Sequence, residues 1–162
     1  HNPQSNLKLA SGIAPVPEMI AKGITVGLGT DGSASNNNAD MLEEVRLAAT
    51  LHKARLYDPK AIPAQAAWNM GTVEGAKALG YHDLGVLQEG YRADIVLYNA
   101  DQVHWMPRYN DVAALAYSAN SSDANTVIVN GKILMKDREL LTIDEEKLKA
   151  EIKNAQEFFG HL

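Results

Sequence analysis

The chain has 162 residues, 46% of them hydrophobic and 22% charged, with a net charge of −5 and no cysteine. That is enough apolar material for a core of single-domain size, while the acidic balance and the lack of any basic stripe exclude phosphate-backbone binding, so no nucleic acid is expected as a partner. No apolar run nears the roughly 18–20 residues that cross a bilayer, so no membrane partner and a cytoplasmic location are expected; without cysteine, any metal must be held by His and carboxylate.

His1-Asn2-Pro3 reads as the end of a strand running into a turn, with the strand itself missing, as expected of a piece of a longer chain. Residues 5–12 read as a polar loop ending in Gly12. Pro15-Val16-Pro17-Glu18 sets up a short helix from Pro17 to Lys22, closed by Gly23. Ile24 to Thr30 is β-branched and uncharged, the pattern of a strand buried on both faces. After the Asn-rich turn at 36–38, Asp40 caps a helix of about four turns whose expected inner face is Met41, Leu42, Val45, Ala48, Ala49 and Leu56. Glu43 and Glu44 at its start and Lys53 and Arg55 at its end complement the helix dipole. Pro63 opens a helix to about Met70, and Thr72 begins another that ends at Gly80.

From residue 85 the texture changes. Gly85 to Tyr98 reads as a turn feeding a strand, and Thr126 to Met135 as a hairpin on the Asn130-Gly131 turn. A short helix is expected over Asp111 to Tyr117 and a terminal one over Asp144 to Phe159, the latter with Leu148, Ile152, Ala155 and Phe159 at helical spacing.

The segment richest in chemistry is Gly27-Leu28-Gly29-Thr30-Asp31-Gly32. Glycines at 27, 29 and 32 permit close backbone approach around Asp31, and a carboxylate at the C-terminal end of a parallel-barrel strand faces the active-site side. It could ligate a metal or take a proton from water. An Asp-Gly turn after a strand is also common for purely local reasons, and from these residues alone both readings stand.

Wider stretches resolve the choice. His1 to Val16, Gly29-Thr30-Asp31-Gly32 with Ser35-Asn36-Asn37, Leu84 to Val96, and Val127-Ile128-Val129-Asn130-Gly131-Lys132 together resemble the amidohydrolase superfamily, in particular its 5-methylthioadenosine/S-adenosylhomocysteine deaminase branch. The resemblance implies an α/β fold: the C-terminal part of a (β/α)8 TIM-type barrel, part of a small β-sandwich and a C-terminal helix. Residues 1–84 would be the last strands and helices of the barrel, and 85–162 the β-sandwich segment with its helix. It also implies one divalent metal, usually zinc, activating water that deaminates a small-molecule nucleoside, with Asp31 as metal ligand and catalytic proton carrier.

A complete barrel needs about 250 residues, and the family's metal histidines and its acid-base Glu precede the segment that His1 begins. A single carboxylate cannot hold catalytic zinc, which takes about three protein ligands. The chain is therefore expected to be the inactive C-terminal piece of such an enzyme, with the N-terminal part of the barrel as its missing partner. His1 is not expected to be a ligand, and of the two roles open to Ser5 and Asn6, lining the site or capping a loop, the cap is expected. His52, His82, His104 and His161 are expected at the surface or at helix ends, and Trp68 and Trp105 in packing roles.

Guanine deaminases and triazine hydrolases are alternatives within the superfamily, and a non-catalytic binding or assembly module is one outside it. An unpaired edge along Ile24 to Thr30 would favour pairing with the missing half or a homo-oligomer.

Overall fold

The computed structural model describes residues 1–160, so His161 lies outside the described residues. Among these, no helix is long and apolar enough to cross a membrane. The first half is helical: α1 (Pro3–Lys8), α2 (Val16–Ala21), α3 (Ser33–Asn36), α4 (Met41–Leu56), α5 (Ala64–Gly71) and α6 (Val73–Ala78). The second half holds β1 (Ile95–Tyr98), α7 (Asp111–Tyr117), β2 (Ala124–Val129), β3 (Lys132–Lys136), β4 (Glu139–Leu140) and α8 (Glu145–Gly160).

Two expectations are corrected at the start of the chain. The loop expected at 5–12 begins inside α1, because Pro3 in the first turn preorganises a helix that the polar residues Gln4, Ser5 and Asn6 do not oppose. Ile24 to Thr30 is extended without being a laddered strand, and it is not buried on both faces: Val26 is 6% exposed but Ile24 is 47% exposed. Its pairing is confined to one residue. The His1 amino group donates to Gly27 O at 2.7 Å and Gly29 N–H donates to His1 O at 3.0 Å, the two slanted bonds of a parallel pair centred on Leu28. On the other side Leu28 N–H donates to Met70 O at 2.9 Å, so at this residue the edge expected to be open is closed by the end of α5.

α4 organises the core. Asp40 caps it by accepting from the amides of Leu42 and Glu43 at 2.9 and 3.1 Å. Its inner face differs from the apolar reading: Leu42, Val45, Ala48 and Ala49 are buried, Met41 and Leu56 are 37% and 40% exposed, and Glu44 and His52 are fully buried in their place. Residues 44, 48 and 52 form one i, i+4 stripe, so helix geometry turns all three inward whatever their polarity.

One core cluster joins Val16, Val26, Val45, Ala48, Ala49, Ile62, Ala67, Met70 and Ala116; a second joins Leu42, Trp105, Ala114 and Ala119, with Trp68 packed against both. Alanines at 48, 49, 67 and 116, all fully buried, let α4, α5 and α7 approach closely. Arg46 locks the contact by donating to the carbonyls of Ala116 and Ala119 at the end of α7.

Among the described residues, four strands form one antiparallel sheet in the order β1-β2-β3-β4, with Ile95 opposite Ile128 and Val129 opposite Lys132. Asn130 and Gly131, at φ 49° and 77°, make the hairpin turn that Asn-Gly predicts. Asp94 anchors that turn: its Oδ1 accepts from Asn130 N–H at 2.6 Å, and Ala93 O accepts from Gly131 N–H at 3.0 Å.

Candidate active site

Asp31 follows the extended segment and precedes the single turn of α3. Its backbone lies at φ 63°, in the left-handed region where Asp is tolerated but still costs free energy. The side chain is exposed. Its carboxyl is held below the ordinary carboxylate range chiefly by the Gly32 N–H, which outweighs the opposing effect of desolvation, with smaller lowering effects from Ser35 and Ser5 nearby. The carboxylate is thus exposed and ionised at neutral pH.

The glycines around it have distinct roles. A Cβ on Gly27 would lie 3.1 Å from Gly75 Cα in α6, and one on Gly29 would lie 2.8 Å from Asn2 Oδ1. Both are sites of close approach. Gly32 has open space around it and conforms to no such constraint.

The remaining candidates separate into those near Asp31 and those elsewhere. Ser5 is buried and its hydroxyl reaches Thr30 O at 3.4 Å, beside Asp31, so it lies at the site and does not merely cap a loop. The His1 ring turns away, against His52 on α4, with ring centroids 5.3 Å apart. The surface or helix-end position expected for His52 is corrected: it lies within α4 and is fully buried, because it shares the stripe of Glu44 and Ala48. His104 bonds to Asp123 at 2.8 Å and Trp105 Nε1 donates to the same oxygen at 3.0 Å, far along the chain from Asp31. Trp68 and Trp105 pack in the core clusters as expected.

Among the described residues no three His, Cys, Asp or Glu side chains come together as a metal-binding group. Asp31 is a lone donor, and the residues of this chain by themselves do not fit a metal. A trough of about 1040 Å³, lined by groups such as Leu28, Val45, Trp68 and Tyr98, runs beside the extended segment; Asp31 does not line it.

Two residues support the Asp31 loop: Glu44, expected only to complement the helix dipole, and Asn36, expected only in the Asn-rich turn and the family motif. Glu44 is fully buried, and its Oε2 accepts from Gln4 N–H at 3.1 Å while its Oε1 accepts from Asn36 Nδ2 at 2.6 Å. Asn36 is itself buried, and its Oδ1 accepts from Ala39 N–H at 2.8 Å. The available signal was positional: Glu44 stands four residues before Ala48 on the inner stripe.

The amidohydrolase family profile matches residues 1–134. The chain belongs to the amidohydrolase family. This amidohydrolase chain is 58% identical over 151 residues to the 5-methylthioadenosine/S-adenosylhomocysteine deaminase of Dictyoglomus thermophilum, covering 93% of itself and 35% of that relative. It is 53% identical over 154 residues to the enzyme of the same name from Acetivibrio thermocellus, covering 94% of itself and 36% of that relative. The chain thus spans about a third of the length of the curated relatives it matches. Among solved structures, an adenosine deaminase from Xanthomonas campestris with bound zinc superposes with a TM-score of 0.96 at 34% identity, over 100% of this chain and 37% of that one. An atrazine chlorohydrolase from Arthrobacter aurescens complexed with zinc superposes with a TM-score of 0.86 at 35% identity, over 95% and 34%. The α/β fold expected from the sequence is therefore that of the amidohydrolase barrel enzymes, of which this chain carries a part together with one small sheet.

Proposed function

We propose that this chain is the C-terminal part of a hydrolytic deaminase acting on an adenosine-type thioether nucleoside such as 5-methylthioadenosine or S-adenosylhomocysteine, with Asp31 as the proton carrier. The observation that carries the reading is the Asp31 carboxylate, exposed and kept ionised at the end of an extended segment that pairs in parallel with His1. Identity of 58% to a deaminase of that name, against 35% to a triazine-type enzyme, favours the nucleoside substrate over a triazine.

In the reaction, water adds its oxygen to the amino-bearing ring carbon, the C–N bond breaks and ammonia leaves. The proton lost by the water must reach the departing nitrogen, and a carboxylate that is unprotonated at neutral pH can take it up and return it. The Gly32 N–H beside Asp31 favours the ionised form that the transfer requires. A role for Asp31 as a metal ligand needs at least two further donors from outside this chain, whereas the proton role needs only its own carboxylate. The division into barrel elements at 1–84 and sheet and helix at 85–162 belongs to the same proposal, as does the inactivity of the chain by itself.

The test is ammonia release from 5-methylthioadenosine, S-adenosylhomocysteine, adenosine and guanine by a protein of the length of the relatives, beside its Asp31→Asn variant. The expected result is preference for the thioether nucleosides and a loss of about 10²-fold or more in kcat for the variant. Undiminished turnover by folded Asp31→Asn protein would overturn the assignment of Asp31, and preference for guanine would overturn the substrate.

A further inference from the structure

We propose that Glu44 is a positioning residue for Asp31, its buried carboxylate tying α1 to α3, the two elements that flank Asp31 in the fold. The inference rests on the reading of Asp31 as the proton carrier and extends it to a residue that touches neither substrate nor Asp31.

Both elements flank Asp31 directly: the carbonyl of Thr30 just before it accepts from Ser5 Oγ in α1 at 3.4 Å, and Gly32 just after it is the N-cap of α3. Neither element can hold itself in place. α1 has six residues and α3 has four, too few for a helix to be stable without tertiary contacts. The loop between Asp31 and α4 is also conformationally costly, since Asp31, Asn37 and Ala39 all take positive φ, at 63°, 77° and 51°. Something must overdetermine this conformation, and the buried polar contacts that do so converge on Glu44. One oxygen of the carboxylate takes the Gln4 amide in the first turn of α1; the other takes the Asn36 amide group at the end of α3, and Asn36 in turn takes the Ala39 N–H.

The chemistry calls for a carboxylate. Both partners of Glu44 are donors, so the residue must offer two acceptors in one rigid group on one helix, as an ionised carboxylate does and an amide does not. Burial raises the Glu44 pKa, with the Gln4 and Asn36 bonds opposing that rise. A site under pressure only to fill space would carry an apolar residue here and avoid desolvating the charge. α4, sixteen residues long and packed into the core on its other inward positions, provides the rigid body from which Glu44 acts.

The amide chemistry also provides the test. Glu44→Gln is nearly isosteric but sets its own Nε2 against Asn36 Nδ2, breaking the link to α3. The double variant Asn36→Asp with Glu44→Gln reverses the polarity of that link and restores it: the new glutamine donates to the new aspartate, which still accepts from Ala39 N–H, and its carbonyl still accepts from Gln4 N–H. In a protein of the length of the relatives, Glu44→Gln is expected to lower kcat for 5-methylthioadenosine by about tenfold to a hundredfold, as small misplacements of a catalytic group do, with KM within about twofold. The double variant is expected to recover most of that loss, and circular dichroism checks that each variant is folded.

Full kcat in folded Glu44→Gln, or a loss that the folded double variant fails to restore, would overturn the proposal. If Glu44→Gln does not fold, the double variant decides alone: folded and active it supports the link, folded and inactive it refutes it. If the wild-type protein releases no ammonia from any nucleoside, the deaminase reading fails separately. Amide hydrogen exchange then still reads the tie, since Glu44→Gln must accelerate exchange at residues 32–37 and leave α5 unchanged for the tie to exist.

Discussion

The imidazole rings of His1 and His52 stand 5.3 Å apart with an interplanar angle of 41°, and none of their four nitrogens is hydrogen-bonded. The contact joins the residue that pairs with the Asp31 segment to the inner stripe of α4, and it uses two polar rings as if they were apolar. Such an arrangement is tolerable only while the buried rings are neutral.

A pH dependence of stability follows. Burial lowers the His52 pKa from its ordinary 6.5; the nearby Arg55 charge lowers it further and Glu18 partly opposes both. The folded protein therefore binds fewer protons than the unfolded chain in the interval below about 6.5, and stability, present in full above that value, falls as the pH drops through the interval. Urea midpoints measured at several values between pH 7.5 and pH 5 should decline in the wild type and decline less in His52→Leu. Equal slopes in the two proteins would assign the acid sensitivity to other groups.

Asp123 is the second buried acid on which the chain depends. Burial alone would raise its pKa, but the His104 ring, the Asn120 N–H and Trp105 Nε1 outweigh that and hold it below the ordinary carboxylate value. Asp123→Ala leaves a buried indole N–H and a backbone N–H without partners, at a cost of about 2–4 kcal/mol. The Trp105 environment should change with it, so the variant is checked by chemical denaturation together with tryptophan emission. Because this pKa is depressed, the contribution is present above about pH 4 and is lost as the pH falls further.

Two glycines with positive φ separate backbone conformation from contact. Gly131 lies at φ 77° in the hairpin turn with open space where a Cβ would sit, so Gly131→Ala should cost about 1 kcal/mol. Gly85 lies at φ 91°, and its Cβ would fall 2.6 Å from Val73 Cα and 2.8 Å from Val73 N. Neither backbone atom can yield without moving the start of α6. Gly85→Ala should therefore cost at least about 2 kcal/mol more than Gly131→Ala, since it must shift packed backbone as well as strain its own. Thermal melts of the two variants side by side give the comparison, and equal losses would show that the Val73 contact is soft.

Local grammar determined much of this protein. Asp40 as a cap, Pro63 before α5, the Asn130-Gly131 turn and Asp144 before α8 act through neighbouring residues and read the same way in any fold. Asp31 stood out for a similar reason, since a carboxylate between glycines at the end of a β-branched segment is a local pattern, and the longer motif carried the family with it. What only the tertiary structure decided is where polar side chains go when a helix turns them inward. His52 is expected from the sequence at the surface or a helix end, and nothing local marks Glu44 or Asn36 as buried; the i, i+4 stripe of α4, the Gln4 N–H of α1 and the Asn36 side chain of α3 decide otherwise. The same holds for Ile24 to Thr30, whose composition promised a buried strand. A ladder depends on neighbours that composition does not carry, and here they amount to His1 on one side and Met70 on the other.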